Sequence, residues 1–407
     1  MTAAPPKYVK HVLMALQTAG YRAFLVGGCV RDIILGRTPS DWDITTNALP
    51  DEIMTVFPSS APTGLQHGTV TVRIGRSRVE VTTLRADGDY SDHRRPGSVA
   101  FISDITADLS RRDFTMNAIA ISSDGLVIDP FNGSGDIKNS LIRCVGEPEK
   151  RFSEDALRMF RAIRFSAQLG FDIEEKTAGA IYGTSQLAVY LAAERIRDEL
   201  EKILTSPMAG RVSRLLSFGL LDAFTLRPRA SFDFARASTL PRSKLQRWAA
   251  FCCLLEINKS VTSTESFLRA LRLDNGTIKN CSVGVTLALL SPPQDTRRWK
   301  EILAEHGTDA AMATAAAAQM IRPGNYVKAL RTILRSGECF SLKHLAVNGN
   351  DVMQLGLRGV EVGYALKDLL NHVLDHPGDN NKAILTGILT SRLTAVPPRN
   401  ANIQSTS

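Results

Sequence analysis

The hydrophobic pattern divides the chain in two. Up to about residue 143, short apolar runs alternate with short helical stretches. Beyond Glu147 the strand signals fade and long helical periodicity takes over. Residues 7–19 read as an amphipathic helix that stops at Gly20. A strand over 23–26 follows, then a Gly-Gly turn and a helix over 30–35. Residues 41–45 read as a strand, and 51–57 as a helix opened by Pro50. Two strands, 69–74 and 78–84, flank a Gly-containing hairpin. Residues 86–98 are polar, carry Gly88, Pro96 and Gly97, and read as a flexible loop. A helix over 112–120 and a short strand over 127–129 complete this part. Helical periodicity then runs through 153–192 and 194–204. Breaks fall near Pro207, Pro292 to Pro293 and Pro323 to Asn325. The polar end, 395–407, carries two prolines and reads as disordered. No internal repeat is visible. The pattern predicts a small α/β domain followed by an all-α remainder.

Composition bounds this picture. At roughly 100–200 residues per domain, 407 residues suggest two to four domains. Hydrophobic residues make up 44% and charged residues 22%, ordinary for a globular chain. No apolar run reaches the ~18 residues of a membrane span, and the N-terminus does not read as a signal peptide. The formal net charge of +8 favours a polyanionic partner only weakly. The six cysteines form no metal-ligand spacing and read as reduced thiols of a cytoplasmic chain.

Five short segments carry candidate chemistry. Gly27-Gly28-Cys29-Val30-Arg31-Asp32 joins a strand to a helix. Its glycines permit close approach of a ligand to the backbone, and Arg31 offers a fork for phosphate oxygens. A tight turn without a ligand is the bland alternative. Asp41-Trp42-Asp43 would place two carboxylates on one face of a strand. Such a pair is unfavourable without a cation, and Mg²⁺ takes oxygen ligands while bridging to substrate phosphates. A surface strand end would look the same. Glu80 alternates with Val79 and Val81. A neighbouring strand could bring it beside the aspartates, to bind metal or accept a proton, unless it is an edge-strand glutamate. In Arg111-Arg112-Asp113-Phe114-Thr115-Met116-Asn117-Ala118, Asp113 and Asn117 would be helix neighbours. Arg112 could meet triphosphate or ribose, or the segment could be a purely structural turn.

The fifth segment, Glu154 to Phe165, is the most informative. Ala156, Phe160, Ile163 and Ala167 recur at helical spacing and form a buried face. Glu154, Arg158, Arg161 and Phe165 fall opposite, with Asp155 and Arg164 on the flanks. Three arginines spaced by three are dense for a solvated face. Asp155 and Arg158 present an acceptor beside a donor fork. That pair complements cytosine, with its N4 amino group beside N3 and O2, and adenine, with its N6 amino group beside N1. Uracil and guanine present a carbonyl instead and would leave the carboxylate unpaired, at a cost of ~1–3 kcal/mol.

Taken in order, these motifs resemble the class II tRNA nucleotidyltransferase and poly(A) polymerase family. The resemblance is strong over residues 20–205 and weaker beyond, through Leu345-Ala346-Val347-Asn348-Gly349-Asn350-Asp351-Val352. Size and this late motif look most like the bacterial CCA-adding enzymes of the Bacillus-like branch. The resemblance implies an α+β fold: a polymerase-beta-like nucleotidyltransferase head with a mixed sheet (1–143), then an all-α neck (144–205), body (206–320) and tail (321–407). It implies that Asp41 and Asp43 bind Mg²⁺ and that Gly28, Arg31 and Arg112 hold phosphate or ribose. Asp155 and Arg158 would read the base, with Arg161 and Arg164 in support. The implied reaction adds CMP, CMP and AMP to the tRNA 3′ end from CTP and ATP, with no nucleic-acid template and with release of pyrophosphate. A homodimer is implied by resemblance alone. Arg211, Arg214, Arg227, Arg229, Arg242, Lys244 and Arg247 are candidate tRNA phosphate contacts, against solvated charges as the plain reading. Three rivals remain: a poly(A) polymerase, a CC-adding enzyme that stops before adenosine, and a non-catalytic RNA binder. The loop over 86–98 favours the full reaction over the second, and the retained carboxylates argue against the third.

Overall fold

The computed structural model describes residues 4–65, 68–88, 99–226, 232–290, 293 and 295–395. Most of the loop expected over 86–98, and all but the first residue of the end expected to be disordered, lie outside them. Two compact units are formed, 1–238 with 270–272, and 239–269 with 273–407.

The first unit opens with α1 (Lys7–Thr18), β1 (Ala23–Val26), α2 (Gly28–Ile34), β2 (Asp43–Thr46), α3 (Pro50–Val56), β3 (Ala61–Gly64), β4 (Thr69–Ile74) and β5 (Ser77–Thr83). A small ribbon of β6 (Arg85–Asp87) and β7 (Val99–Phe101) precedes α4 (Ile105–Ser110). Then come β8 (Ala120–Ser122), β9 (Val127–Ile128), α5 (Gly133–Lys138) and β10 (Leu141–Ile142). One seven-stranded sheet has the order β3-β4-β5-β2-β1-β8-β9. It is mixed: β2 and β5 run parallel, and the other pairs are antiparallel. β1 and β2 lie at its centre and are buried by side chains on both faces, which is why 23–26 is a continuous apolar run. The mixed sheet implied by the resemblance and the helical remainder expected from the pattern are both present.

Helices then dominate the unit: α6 (Pro148–Glu154), α7 (Leu157–Leu169), β11 (Asp172–Ile173), α8 (Glu175–Thr184), α9 (Ala193–Leu204) and α10 (Ser213–Ser217). The short parallel pair β10–β11 ties the start of this segment to the turn after α7.

Three local expectations need correction. The strand expected from Asp41 starts at Asp43, because Trp42 is buried and the chain before it is turning. The helix expected over 112–120 is a single 3₁₀ turn, Thr115–Asn117, followed by β8. Phe114 through Ala120 are all buried. Its backbone closes only the turn itself, Asn117 N–H to the Phe114 carbonyl and Ala118 N–H to the Thr115 carbonyl, and otherwise bonds to residues 143–145, Thr115 N–H to the Arg143 carbonyl and Val145 N–H to the Asp113 carbonyl. A chain buried on every side has no polar face to set a period. Third, the continuous helix expected from 153 breaks at Asp155, which is extended (φ −141°, ψ 103°).

The second unit is all helix: α11 (Lys244–Ile257), α12 (Thr264–Ala270), α13 (Asn275–Leu290), α14 (Thr296–Ile321), α15 (Tyr326–Arg335), α16 (Gly349–Gln354), α17 (Val360–Asp375) and α18 (Lys382–Ala395). α14 kinks at Gly307. Its alanine-rich stretch lies against α13, where a Cβ on Gly284 would come within 2.6 Å of the Ala313 methyl, so the helices meet on bare backbone. No helix among the described residues is long and apolar enough to cross a membrane. All six cysteines are unpaired and buried.

Candidate active site

The sheet brings the carboxylates together. Asp43 opens β2, and Glu80 stands directly beside it on the parallel strand β5. Asp41 sits in the turn before β2, exposed, accepting a hydrogen bond from the Ser40 hydroxyl at 2.9 Å. It is therefore not on Asp43's strand, and a turn rather than strand alternation sets its direction. The Asp43 carboxyl is nonetheless pushed up from its ordinary value. Burial is the first cause and Glu80 the second; Asp41 adds to the rise, and Arg112 opposes it. Three mutually repelling acids in one place are the electrostatic condition for a divalent cation. Among the described residues no three acidic, histidine or cysteine side chains make a ready-made metal cage. Mg²⁺ does not need one: it binds through one or two carboxylates with water and substrate phosphates. Asp41 and Asp43 fit that role.

Gly27 lies under this group with φ +74° and ψ −135°. A methyl here would stand 3.1 Å from Arg112 Nη1 and 3.7 Å from Asp43 Oδ2. Gly27 thus sets the gap between a cation and an acid. Gly28 is the first residue of α2, and a methyl on it would come 3.6 Å from Arg31 Nη2. Arg112 is held by Asp108 at 3.2 Å, and Arg111 by the same carboxylate at 2.6 Å. Asp108 is fully buried. Burial alone would raise its carboxyl, but Arg111, Arg112 and the Arg85 N–H hold it below the usual range.

A second cluster faces the helical segment. Arg31 donates to the Asn117 side chain (2.8 Å) and to Asp32 (2.9 Å). Asp113 is buried; it accepts from the Phe114 N–H (2.9 Å), the Asn117 amide (3.2 Å) and Arg161 Nε (2.7 Å). Asp113 and Asn117 are neighbours as expected, but through the 3₁₀ turn rather than an α-helix. Burial pulls the Asp113 carboxyl up, yet Arg161, Asn117 and Arg158 together outweigh it and the group ends below its ordinary value. Arg164 pairs with the buried Glu199 on α9 at 3.1 Å. Arg31, Arg161 and Arg164 all approach the Phe165 ring, at 5.5, 5.5 and 4.4 Å from its centroid, and Phe165 meets Phe114 edge-on. The face of α7 read as opposite the core is therefore itself covered, and Arg158 and Phe165 are buried.

Asp155 and Arg158 lie at the break between α6 and α7. Asp155 accepts from the Leu157 N–H (3.1 Å) and pairs with Arg195 on α9 (3.2 Å). Arg158 donates to Glu154 (2.7 Å) and to the carbonyls of Arg151 (3.2 Å) and Arg111 (3.0 Å). All ten site residues expected from sequence thus lie in the first unit. Asp41, Asp43, Glu80 and Arg112 share one electrostatic group, and Arg31, Arg161 and Arg164 share another around Phe165.

Sequence reading missed Asp108, Glu199 and Arg195. A signal existed for Glu199: it falls on the apolar stripe of Ile196, Leu200 and Ile203, where an acid needs a partner. Of the proposed phosphate contacts, Arg247 is a correction. It is buried and donates to the Leu240 and Pro241 carbonyls at 2.7 and 2.9 Å, so it shapes a turn. Arg211 and Arg214 share Asp172, at 2.7 and 3.5 Å. Arg242 and Lys244 are exposed, and Arg227 and Arg229 lie outside the described residues.

Three family models match the chain: a poly A polymerase head domain over 23–143, an RNA and SrmB-binding site of polymerase A over 170–228, and a tRNA nucleotidyltransferase domain 2 over 240–389. The CCA-adding enzyme of Geobacillus sp. (strain WCH70) is 42% identical over 353 residues, which is 84% of this chain and 86% of that protein. That of Geobacillus stearothermophilus is 40% identical over 351 residues, with 84% and 86% covered. The crystal structure of the Bacillus stearothermophilus CCA-adding enzyme in complex with CTP aligns with a TM-score of 0.79 at 34% identity, over 96% of this chain and 98% of that one.

Proposed function

Since the chain belongs to the family of CCA-adding enzymes, we propose that it completes the tRNA 3′ end, transferring CMP, CMP and then AMP from CTP and ATP without a nucleic-acid template. The observation that carries this reading is the pairing of a carboxylate group on β2 and β5 with arginine-lined helical residues in one compact unit. The first suits phosphoryl transfer and the second suits a triphosphate with its base.

In this reading the tRNA 3′-hydroxyl attacks the α-phosphate in line and pyrophosphate leaves. Asp41 and Asp43 would hold Mg²⁺, which supplies charge neutralisation at the phosphates and makes a bound hydroxyl more acidic. Glu80, beside Asp43, is placed to take the proton. Arg31 and Arg112 hold phosphate or ribose oxygens. Gly28 gives close approach to the backbone, and Arg161 and Arg164 add positive charge behind the nucleotide. Asp155 accepts from the amino group shared by cytosine and adenine, and Arg158 donates to the adjoining ring nitrogen. The six buried, unpaired cysteines suit a reducing cytoplasm.

The test is extension of tRNA transcripts lacking CCA, ending in C, or ending in CC, with CTP, ATP or both, resolved to single nucleotides. Completion to CCA and arrest there is the expected result, abolished by a chelator and restored by magnesium. Long adenylate tails would indicate a poly(A) polymerase, arrest at CC a partial activity, and no extension a binding protein.

A further inference from the structure

Asp155 and Arg158 carry opposite charges three residues apart, so their simplest ground state is an ion pair with each other. A carboxylate turned into that pair would aim its lone pairs at Arg158 rather than at a base. The structure keeps them apart by giving each another partner. Asp155 is fixed at both oxygens, Oδ1 by the Leu157 N–H at 3.1 Å and Oδ2 by Arg195 Nη2 at 3.2 Å. Arg158 is turned towards Glu154 at 2.7 Å and the Arg111 carbonyl at 3.0 Å. The partners differ in kind. Glu154 also binds Arg151 at 2.9 Å and so belongs to a larger network. Arg195 has its ion pair with Asp155, while its other terminal nitrogen, Nη1, is buried without a hydrogen-bond partner. An arginine that leaves one buried donor unmade while gripping a single carboxylate is placed for that carboxylate rather than for packing.

We infer that Arg195 is a positioning residue for base selection: it holds the Asp155 carboxylate away from Arg158 so that both keep their reading edges open to cytosine or adenine. The inference rests on Asp155 and Arg158 reading the base, and it adds that their selectivity depends on a residue forty positions along the chain, on α9. Without Arg195 the carboxylate rotates towards Arg158 and turns its lone pairs away from the incoming amino group, and the penalty against uracil's carbonyl shrinks.

The experiment compares the full chain with Asp155→Asn, Arg195→Met and the double variant. Single-turnover addition of CMP and of UMP to a tRNA lacking CCA is measured alongside melting. Asp155→Asn puts an amide donor opposite the uracil carbonyl, so its UMP to CMP ratio rises. Arg195→Met raises that ratio about tenfold or more with little change in melting. The double variant matches Asp155→Asn alone, because Arg195 acts through Asp155. Wild-type selectivity in Arg195→Met, or effects that multiply in the double variant, would overturn the inference while leaving Asp155 as the reader. Wild-type selectivity in Asp155→Asn would instead remove the base-reading assignment itself. Should Arg195→Met fail to fold, Arg195→Lys carries the test. It keeps the charge on a single-point donor, so selectivity relaxes part of the way; unchanged selectivity counts against the inference.

Discussion

Replacing Asp113 by Asn changes one atom and one charge at the point where the sheet meets the helical segment. Asp113 is 7% exposed and accepts three hydrogen bonds, from the Phe114 N–H and the Asn117 amide on Oδ1 and from Arg161 Nε at 2.7 Å on Oδ2, with Arg161 Nη2 ion-paired to the same oxygen at 2.5 Å. An asparagine has one acceptor oxygen. If it faces Phe114 and Asn117, its amide hydrogens meet two arginine donors; if it flips, they meet the other two. Two donors lose their acceptor either way. Removing one partner of a buried ion pair costs about 3–5 kcal/mol. The Arg161 side chain is 35% exposed, so water recovers part of this and about 2–3 kcal/mol is the expected loss. At roughly 2–4 °C per kcal/mol for a unit of this size, melting should fall by about 4–12 °C at pH 7.

The pH dependence gives the prediction its sign. The Asp113 carboxyl lies below its ordinary value in the folded protein. Its contribution is therefore complete above the unfolded value of about 3.9 and fades only as pH falls through the lower folded value. Calorimetry of the wild type and Asp113→Asn should show the same gap at pH 7 and pH 5, closing only in stronger acid. A variant melting within about 1 °C of wild type at pH 7 would refute the reasoning, as would a gap that widens on acidification.

Two further substitutions probe the backbone and a buried arginine. Gly27→Ala forces a side chain into φ +74° and sets a methyl 3.1 Å from Arg112 Nη1. It should cost about 1–3 kcal/mol of stability and lower nucleotide addition more than tRNA binding, and wild-type turnover would count against Gly27 setting the gap between Arg112 and Asp43. Arg247→Met removes the donors that close the turn at Leu240 and Pro241. Melting should drop while the salt dependence of tRNA affinity stays unchanged, and a shallower slope of log affinity against log salt would restore Arg247 as a phosphate contact.

What the sequence made legible follows from what periodicity reports. Alternation places Val70 and Val72, and Val79 and Val81, on the buried face, and the strands there match expectation closely. The chemistry of Glu80 was readable as a carboxylate leaving an apolar face. Its position beside Asp43 was not, because that register comes from a parallel pairing between strands 37 residues apart. The turn at 114–117 was misread because total burial erases the polar side that defines a helix or strand.

The break at Asp155 does have a signal in the sequence. An aspartate just before an apolar periodic run is a helix-start signal, and the Asp155 carboxylate does accept from the N–H two residues on. An unbroken helix from 153 would set Asp155 and Arg158 side by side on its face. The break turns the carboxylate off the helix axis, where α9 can reach it. The same lesson governs Arg161 and Arg164. Spacing assigns residues to a face, but only the fold says what covers that face. Here it is Asp113 from the head and Glu199 from α9, so each guanidinium is held by a carboxylate. A guanidinium already held by a buried carboxylate loses less rotamer freedom on meeting a phosphate. In the proposed nucleotide site the acids behind the arginines would therefore matter as much as the arginines themselves.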